Sequence, residues 1–555
     1  MGLTTAFYNF FINIGIMDNG IVAELWTRIC ASISRLFAQQ KPPPPPINTP
    51  PLPAERVQAF PTRHERNVIS ANCLALLQQT LGKAELPEGQ PDAAYQELRA
   101  LVVRIHTLIC HPPTKESHLS VCSDFRENLQ NMICKALKHS VYQALKTSEK
   151  DPLVHFLHIA SDIIHNRSEG MSAYEALGKR LLDELGEDQS PSSYTLKEFQ
   201  QIMDQARTQT STHNHSSFLG RIGYSIRHPS RVAGTLVSRS PLGLQYNAYD
   251  LGNYNAELGK WVIDASSHFR TSAGPNPTHP NYPIFDAVLQ LRKNLKRPTH
   301  TQMILEGAEG GGAKQRRDVM LAKPNETGHP LHAFALPMDG PPRAGKKAFA
   351  TVGTSQDFTR ELFKERDSLG LVLPEATIAA DSVEVTLKHF HNALSHLEGT
   401  DTWMKLYDKN ELSGTLLLGF DAIFALRYMI HAAANKRACS VQLQKEGYNV
   451  DSTCQITCKQ GVDRGAVVNI LMRILVDAKN RGGFDGITPR QLQQYCGYTF
   501  GRALNVDARQ IAESRYKFLR NFLNLLSHAT PQQQRNFLDD LNLPPDMHFV
   551  PSNEQ

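Results

Sequence analysis

The run from Thr453 to Ala478 constrains this chain more than any other stretch. Thr453-Cys454-Gln455-Ile456-Thr457 reads as a short buried strand, and Cys458 to Arg464 as a tight loop. Val467, Val468, Ile470, Leu471, Ile474, Leu475 and Ala478 then recur at helical spacing. A cysteine at the end of a strand, followed by an arginine that opens a helix, suits phosphate-ester chemistry. Successive loop N–H groups curling into a helix N-terminus form a cradle for an anion. The same field favours a thiolate, which makes Cys458 the candidate nucleophile. Arg464 offers a planar fork for two phosphoryl oxygens, and Gly461 allows a backbone turn closed to other residues. Asp463 is placed to protonate a leaving alkoxide and then to activate water. Lys459 adds a second cation, and Gln460, Val462 and Gly465 complete the substrate-binding loop. This chemistry requires no metal and no cofactor. A buried structural cysteine in a strand–turn–helix is the plain alternative.

The loop Cys458-Lys459-Gln460-Gly461-Val462-Asp463-Arg464 resembles the signature of cysteine-dependent phosphatases that act on inositol lipids and inositol phosphates. Its Asp463-Arg464 pair is similar to that of myotubularins, Sac-type phosphatases and bacterial effector inositol phosphatases. A lysine after the cysteine, here Lys459, is also seen in the phosphatase-and-tensin group and in the bacterial effectors. The resemblance implies catalytic roles for Cys458, Asp463 and Arg464, and a phosphoinositide or inositol polyphosphate as substrate. It covers the loop and its flanks, not the whole chain. Gly465 stands where the family usually carries Thr or Ser, and Val462 where lipid phosphatases carry a second lysine. The fold expected is α+β and mostly helical: a helical N-terminal region, then a cysteine-phosphatase-like α/β domain. A protein tyrosine or dual-specificity phosphatase shares the loop and is one alternative. A non-catalytic helical interaction protein is the other.

Length allows several domains, 555 residues being more than one core usually holds. The clearest boundary is the proline-rich linker 41–54, Lys41-Pro42-Pro43-Pro44-Pro45-Pro46 onward, a stiff extended spacer. Pro50-Pro51-Leu52-Pro53 also has the form of an SH3-type ligand. Before it, 1–40 is an amphipathic N-terminal segment, with Ile21, Val22, Leu25, Trp26, Ile29, Ile33, Leu36 and Phe37 on one side. That pattern fits a membrane-surface anchor or a helix docked on the chain's own core. After the linker come a helical domain at 55–205, the catalytic domain at 206–545 and a polar tail at 546–555.

In detail, Ala93 to Cys110, Ser123 to Thr147, Pro152 to His165, Ser382 to Leu397, Leu416 to Ala434, Ile487 to Cys496, Ala508 to Leu526 and Pro531 to Leu541 carry helical spacing. Residues 206–280, rich in Ser, Thr, Asn, Gly and His, read as loop, and the short strands expected next are Ala348–Val352 and Gly370–Leu373. Arg292, Lys293, Lys296, Arg297, Lys314, Arg316, Arg317, Lys346 and Lys347 read as a solvated basic surface or a receiver for an anionic headgroup. Asp401, Asp408 and Asp421 are weaker candidates for a general acid on a separate loop.

A net charge of +5 without zinc-finger spacing or a basic arm argues against a nucleic-acid partner. Nine cysteines without framework spacing suggest reduced thiols in a cytosol-like compartment. The N-terminus lacks a secretory signal pattern. With its large helical region the chain also resembles bacterial effectors delivered into host cells, and a peripheral place at membranes is a further expectation for it.

Overall fold

The computed structural model describes residues 77–88, 92–111, 129, 132–148, 150–166, 178–179, 181–183, 185, 191–211, 244–250, 254–255, 260–269, 282–294, 300–305, 317–318, 321, 331–336, 352–364, 383–445, 453–457, 464–501, 511, 513–544 and 547–551. In chain order these residues form α1 (Ala93–Cys110), α2 (Ser140–Leu145), α3 (Pro152–Asn166), α4 (Leu196–Ser211), β1 (Leu244–Asp250), β2 (Tyr254–Asn255) and β3 (Lys260–Phe269). There follow α5 (Tyr282–Asn294), β4 (His300–Ile304), β5 (Leu331–Ala335), α6 (Ser355–Lys364), α7 (Val383–Ser395), α8 (Asp401–Asp408) and α9 (Leu412–Lys445). The last elements are β6 (Thr453–Thr457), α10 (Arg464–Arg481), α11 (Pro489–Cys496), α12 (Glu513–Ser527), α13 (Pro531–Asp540) and β7 (Met547–Pro551). The described part is mostly helical, as the apolar periodicity predicts, and holds one mixed sheet.

Local chemistry explains the helix starts. Asp92 accepts from Ala94 N at the N-terminus of α1, satisfying a donor that the first turn leaves without a partner. Thr488 with Gln491, and Thr530 with Gln533, form capping boxes ahead of α11 and α13, each with proline in the first turn. At α4 a local pair, Thr195 with Glu198, is joined by a contact from far along the chain: Asp485 Oδ1 accepts from Leu196 N at 2.8 Å. A five-residue π-turn, Gly497–Gly501, continues α11.

The sheet has seven strands in the order β2-β3-β1-β6-β4-β5, and β7 pairs in parallel with β3. Strands β6, β4 and β5 run parallel and in step: His300 lies beside both Thr453 and Leu331, and Ile304 beside both Thr457 and Ala335. These three strands therefore finish along one line. β1 pairs antiparallel with β6 on its other side.

α10 joins the sheet to the helices, touching β1, β6 and β7 as well as α9, α12 and α13. The sequence predicts an apolar stripe here. Instead almost the whole helix is enclosed, Gly465, Ala466, Met472 and Val476 being buried along with the expected residues. A helix covered by a sheet and by other helices has no solvent face left. Aromatic rings knit the helical layer: Phe358 of α6 meets Phe390 of α7 at 6.0 Å between centroids, and Phe390 meets Phe420 of α9 at 6.1 Å. Trp403 of α8 is fully buried and donates to Gly353 O at 2.8 Å.

Helices α1 to α4 share one unit, Gln58–Gln555, with the sheet. α3 packs on α5 and β3, and α4 on α11 and α12. His158 of α3 is 1% exposed and lies 3.0 Å from the Tyr142 hydroxyl of α2. Burial holds its pKa down to about 4, with a smaller push from His155.

Several expectations fail. Residues 206–280, read as loop, contain the end of α4 and strands β1, β2 and β3. The helix expected over Ser123–Thr147 is interrupted: Lys138 and His139 turn, and His139 caps α2 by accepting from Val141 N at 3.3 Å. β4 and β5 carry too few β-branched residues to announce themselves, and α9 runs on to Lys445, beyond the expected end at Ala434. Residues 547–551, assigned to the polar tail, form β7. The strands expected at Ala348–Val352 and Gly370–Leu373 lie outside the described residues, except Val352, which is not in a strand.

Candidate functional site

The expected strand–loop–helix is present at its two ends. β6 ends at Thr457 and α10 begins at Arg464, residues 458–463 connecting them. Cys458, Lys459, Gln460, Gly461, Val462 and Asp463 lie outside the described residues. Arg464 and Gly465 are described, and both are buried.

The Arg464 side chain is 7% exposed, and its Nη1 donates to the carbonyl of Leu305 at 2.8 Å. Leu305 follows directly on β4, and Ile304 before it pairs with Thr457. The guanidinium is thus tied to the strand end beside the one from which the loop leaves. Leu336, just past β5, donates its N–H to Ile304 O at 2.8 Å and keeps the third strand end in line. Open sheets of this kind place their ligands outside the carboxyl ends of parallel strands.

Two positive features meet at the start of α10. Unpaired N–H groups make a helix N-terminus positive, so first turns ordinarily collect Asp or Glu. The first turn of α10 carries no acidic residue and opens on a buried arginine.

Sequence reasoning missed the carbonyl of Leu305, because a main-chain acceptor leaves no side-chain signature. It also misplaced two basic residues. Arg292 is 1% exposed on α5, and Arg317 is 8% exposed and donates through Nη2 to Asp318 Oδ1 at 2.8 Å. Neither belongs to a solvated surface. Lys293 is exposed as expected; Lys296, Arg297, Lys314, Arg316, Lys346 and Lys347 lie outside the described residues.

The secondary acid candidates do not reach the site by loops. Asp401 and Asp408 are the exposed first and last residues of α8. Asp421 is enclosed in the middle of α9. Among the described residues no three His, Cys, Asp or Glu side chains gather as a metal site, and no helix is long and apolar enough to cross a membrane. Cys110, Cys134 and Cys496 are free thiols. The amphipathic segment 1–40 and the proline tract lie outside the described residues.

No family model, no curated protein and no solved structure matches this chain.

Proposed function

We propose that the chain is a cysteine-dependent phosphatase acting on phosphoinositides or inositol polyphosphates, with β6, the 458–463 loop and α10 as its phosphate site. One observation carries the reading. A buried arginine occupies the positive end of α10 and is fastened by the Leu305 carbonyl to the carboxyl edge of three parallel strands. In this reading the mixed sheet with α10 is the core of the catalytic α/β domain.

Cys458 attacks phosphorus as a thiolate; an S–P bond forms as the P–O bond to the leaving alkoxide breaks. Asp463 gives that alkoxide its proton. Water then attacks phosphorus, Asp463 takes a proton from it, and the S–P bond breaks to release inorganic phosphate and the thiolate. Loop amides and Arg464 hold the equatorial oxygens, whose charge is stabilised most in a site that excludes water. Lys459 favours substrates carrying further phosphates.

The test is phosphate release across a panel of inositol lipids, soluble inositol polyphosphates and phosphotyrosine peptides. Release from inositol phosphates, abolished by Cys458→Ser, is the expected result. Preference for peptides would replace the substrate assignment, and no release from any member would leave a helical interaction protein as the better account. Asp463→Asn should slow turnover far more than binding, whereas Arg464→Ala should harm both.

A further inference from the structure

A single acidic side chain in the core of the helical layer stands without an answer. Every described side chain of α9 from Leu412 to Tyr428 is buried, and α7, α8, α10 and α12 enclose this stretch. Within it Asp421 is 0% exposed, and neither of its carboxyl oxygens has a hydrogen-bond partner. The enclosure is tight. A Cβ on Gly414 would overlap the ring of Phe518, and one on Gly419 the ring of Phe522, both from α12.

None of the inward titratable and charged groups of the surrounding helices bonds to Asp421. On α7, His389 meets Asp540 O at 3.0 Å, while the buried Nδ1 of half-buried His391 has no hydrogen-bond partner and does not bond to Asp421. Half-buried Tyr407 is the inward group of α8, and its ring lies against Gly353. On α10, Arg473 donates to Asn469 Oδ1 at 3.2 Å and Asp477 accepts from Tyr495 at 2.5 Å. On α12, Tyr516 donates to Asp204 at 3.0 Å. The charges facing outward are exposed or paired, as Lys517 is with Glu411.

We infer that Asp421 is a pH-operated latch, the layer of α7, α9, α10 and α12 closing around the protonated carboxyl and loosening when it ionises. An ionised carboxyl without a partner cannot stay in so dry a place at low cost; it must take a proton or reach water. Burial alone raises its pKa well above the ordinary carboxylate range. The sign follows from linkage. Stability is full below the unfolded value of about 3.9. It is lost as pH rises towards the raised value of the closed state, the opening equilibrium growing by up to about tenfold per pH unit. This inference does not depend on the phosphatase reading.

The experiment is amide hydrogen exchange on the full chain between about pH 5 and 9, read in peptides from α9 and, as an internal control, α3. After division by intrinsic exchange rates, protection in wild-type α9 should fall by up to about tenfold per pH unit, while α3 does not follow. Asp421→Asn and Asp421→Leu should each remove that slope, so the comparison survives if one of them fails to fold. Constant protection in wild-type α9, a uniform loss shared by α3, or an unchanged slope in either variant would overturn the inference.

Discussion

Helix α9 from Leu412 to Tyr428 and α10 from Arg464 to Val476 are buried on all sides, yet they treat buried polar groups differently. In α10 each buried arginine has an acceptor: Leu305 O for Arg464, and Asn469 one turn earlier for Arg473. In α9, Arg427 is answered by Leu541 O at 2.9 Å and Asn542 O at 3.3 Å, but Asp421 is not. The difference teaches what a buried charge is for. An answered arginine ties distant segments together, here β4 to α10 and α13 to α9. An unanswered carboxyl ties nothing and makes the fold sensitive to proton concentration.

The largest expected effect sharpens the contrast within α10. Arg464→Ala should lower phosphate release by about 10²–10³-fold, the scale of losing a donor to transition-state charge. Arg473→Met, equally buried on the same helix, should change stability and leave turnover near wild type. Comparable losses of turnover in two folded variants would show that the helix, not Arg464, is responsible.

The next effect sets the acid side of the pH scale against the basic side. His158 is held neutral, its pKa depressed by burial to about 4. Its contribution is present above the unfolded value of about 6.5 and is lost as pH falls through the folded value, on the order of 3 kcal/mol in all. Denaturant midpoints between about pH 7 and 4 should therefore fall more steeply for wild type than for His158→Gln. Parallel curves would remove His158 from the account.

Within α9 two substitutions should differ in sign. Arg427→Met loses charge-assisted bonds to two carbonyls and should cost about 2–3 kcal/mol, whereas Asp421→Leu should gain about 1–3 kcal/mol at neutral pH. Urea unfolding measures both, and equal destabilisation would break the distinction between answered and unanswered charges. The smallest effect lies outside both helices: Thr530→Ala removes a capping box of α13 and should cost about 1 kcal/mol.

How far the sequence discloses this structure depends on where each determinant lies. α1, α3, α7 and α13 are legible because spacing, caps and prolines are local. β6 and the start of α10 are legible for the same reason, the residue pattern changing from strand to helix around Cys458 to Arg464. β1 and β3 are not, because their segments read as polar loop and become strands by pairing, β1 lying beside β6 from far along the chain. The all-round burial of α9 and α10 is likewise invisible locally; it comes from α7, α12 and the sheet arriving on their remaining faces. At the site, Arg464 is marked by its motif, while the Leu305 carbonyl that fixes it carries no residue-type signal. Arg292 and Arg317 were misread for a related reason. A cluster of positive residues looks solvent-exposed until the structure buries some of them.

The central claim is that a covalent phosphoenzyme forms at the loop between β6 and α10. The direct measurement is mass spectrometry of an Asp463→Asn variant quenched during turnover with an inositol polyphosphate. The account predicts a phosphate on the peptide containing Cys458, absent from Cys458→Ser. A folded variant that binds this substrate but carries no such adduct, or carries it on another residue, would contradict the account.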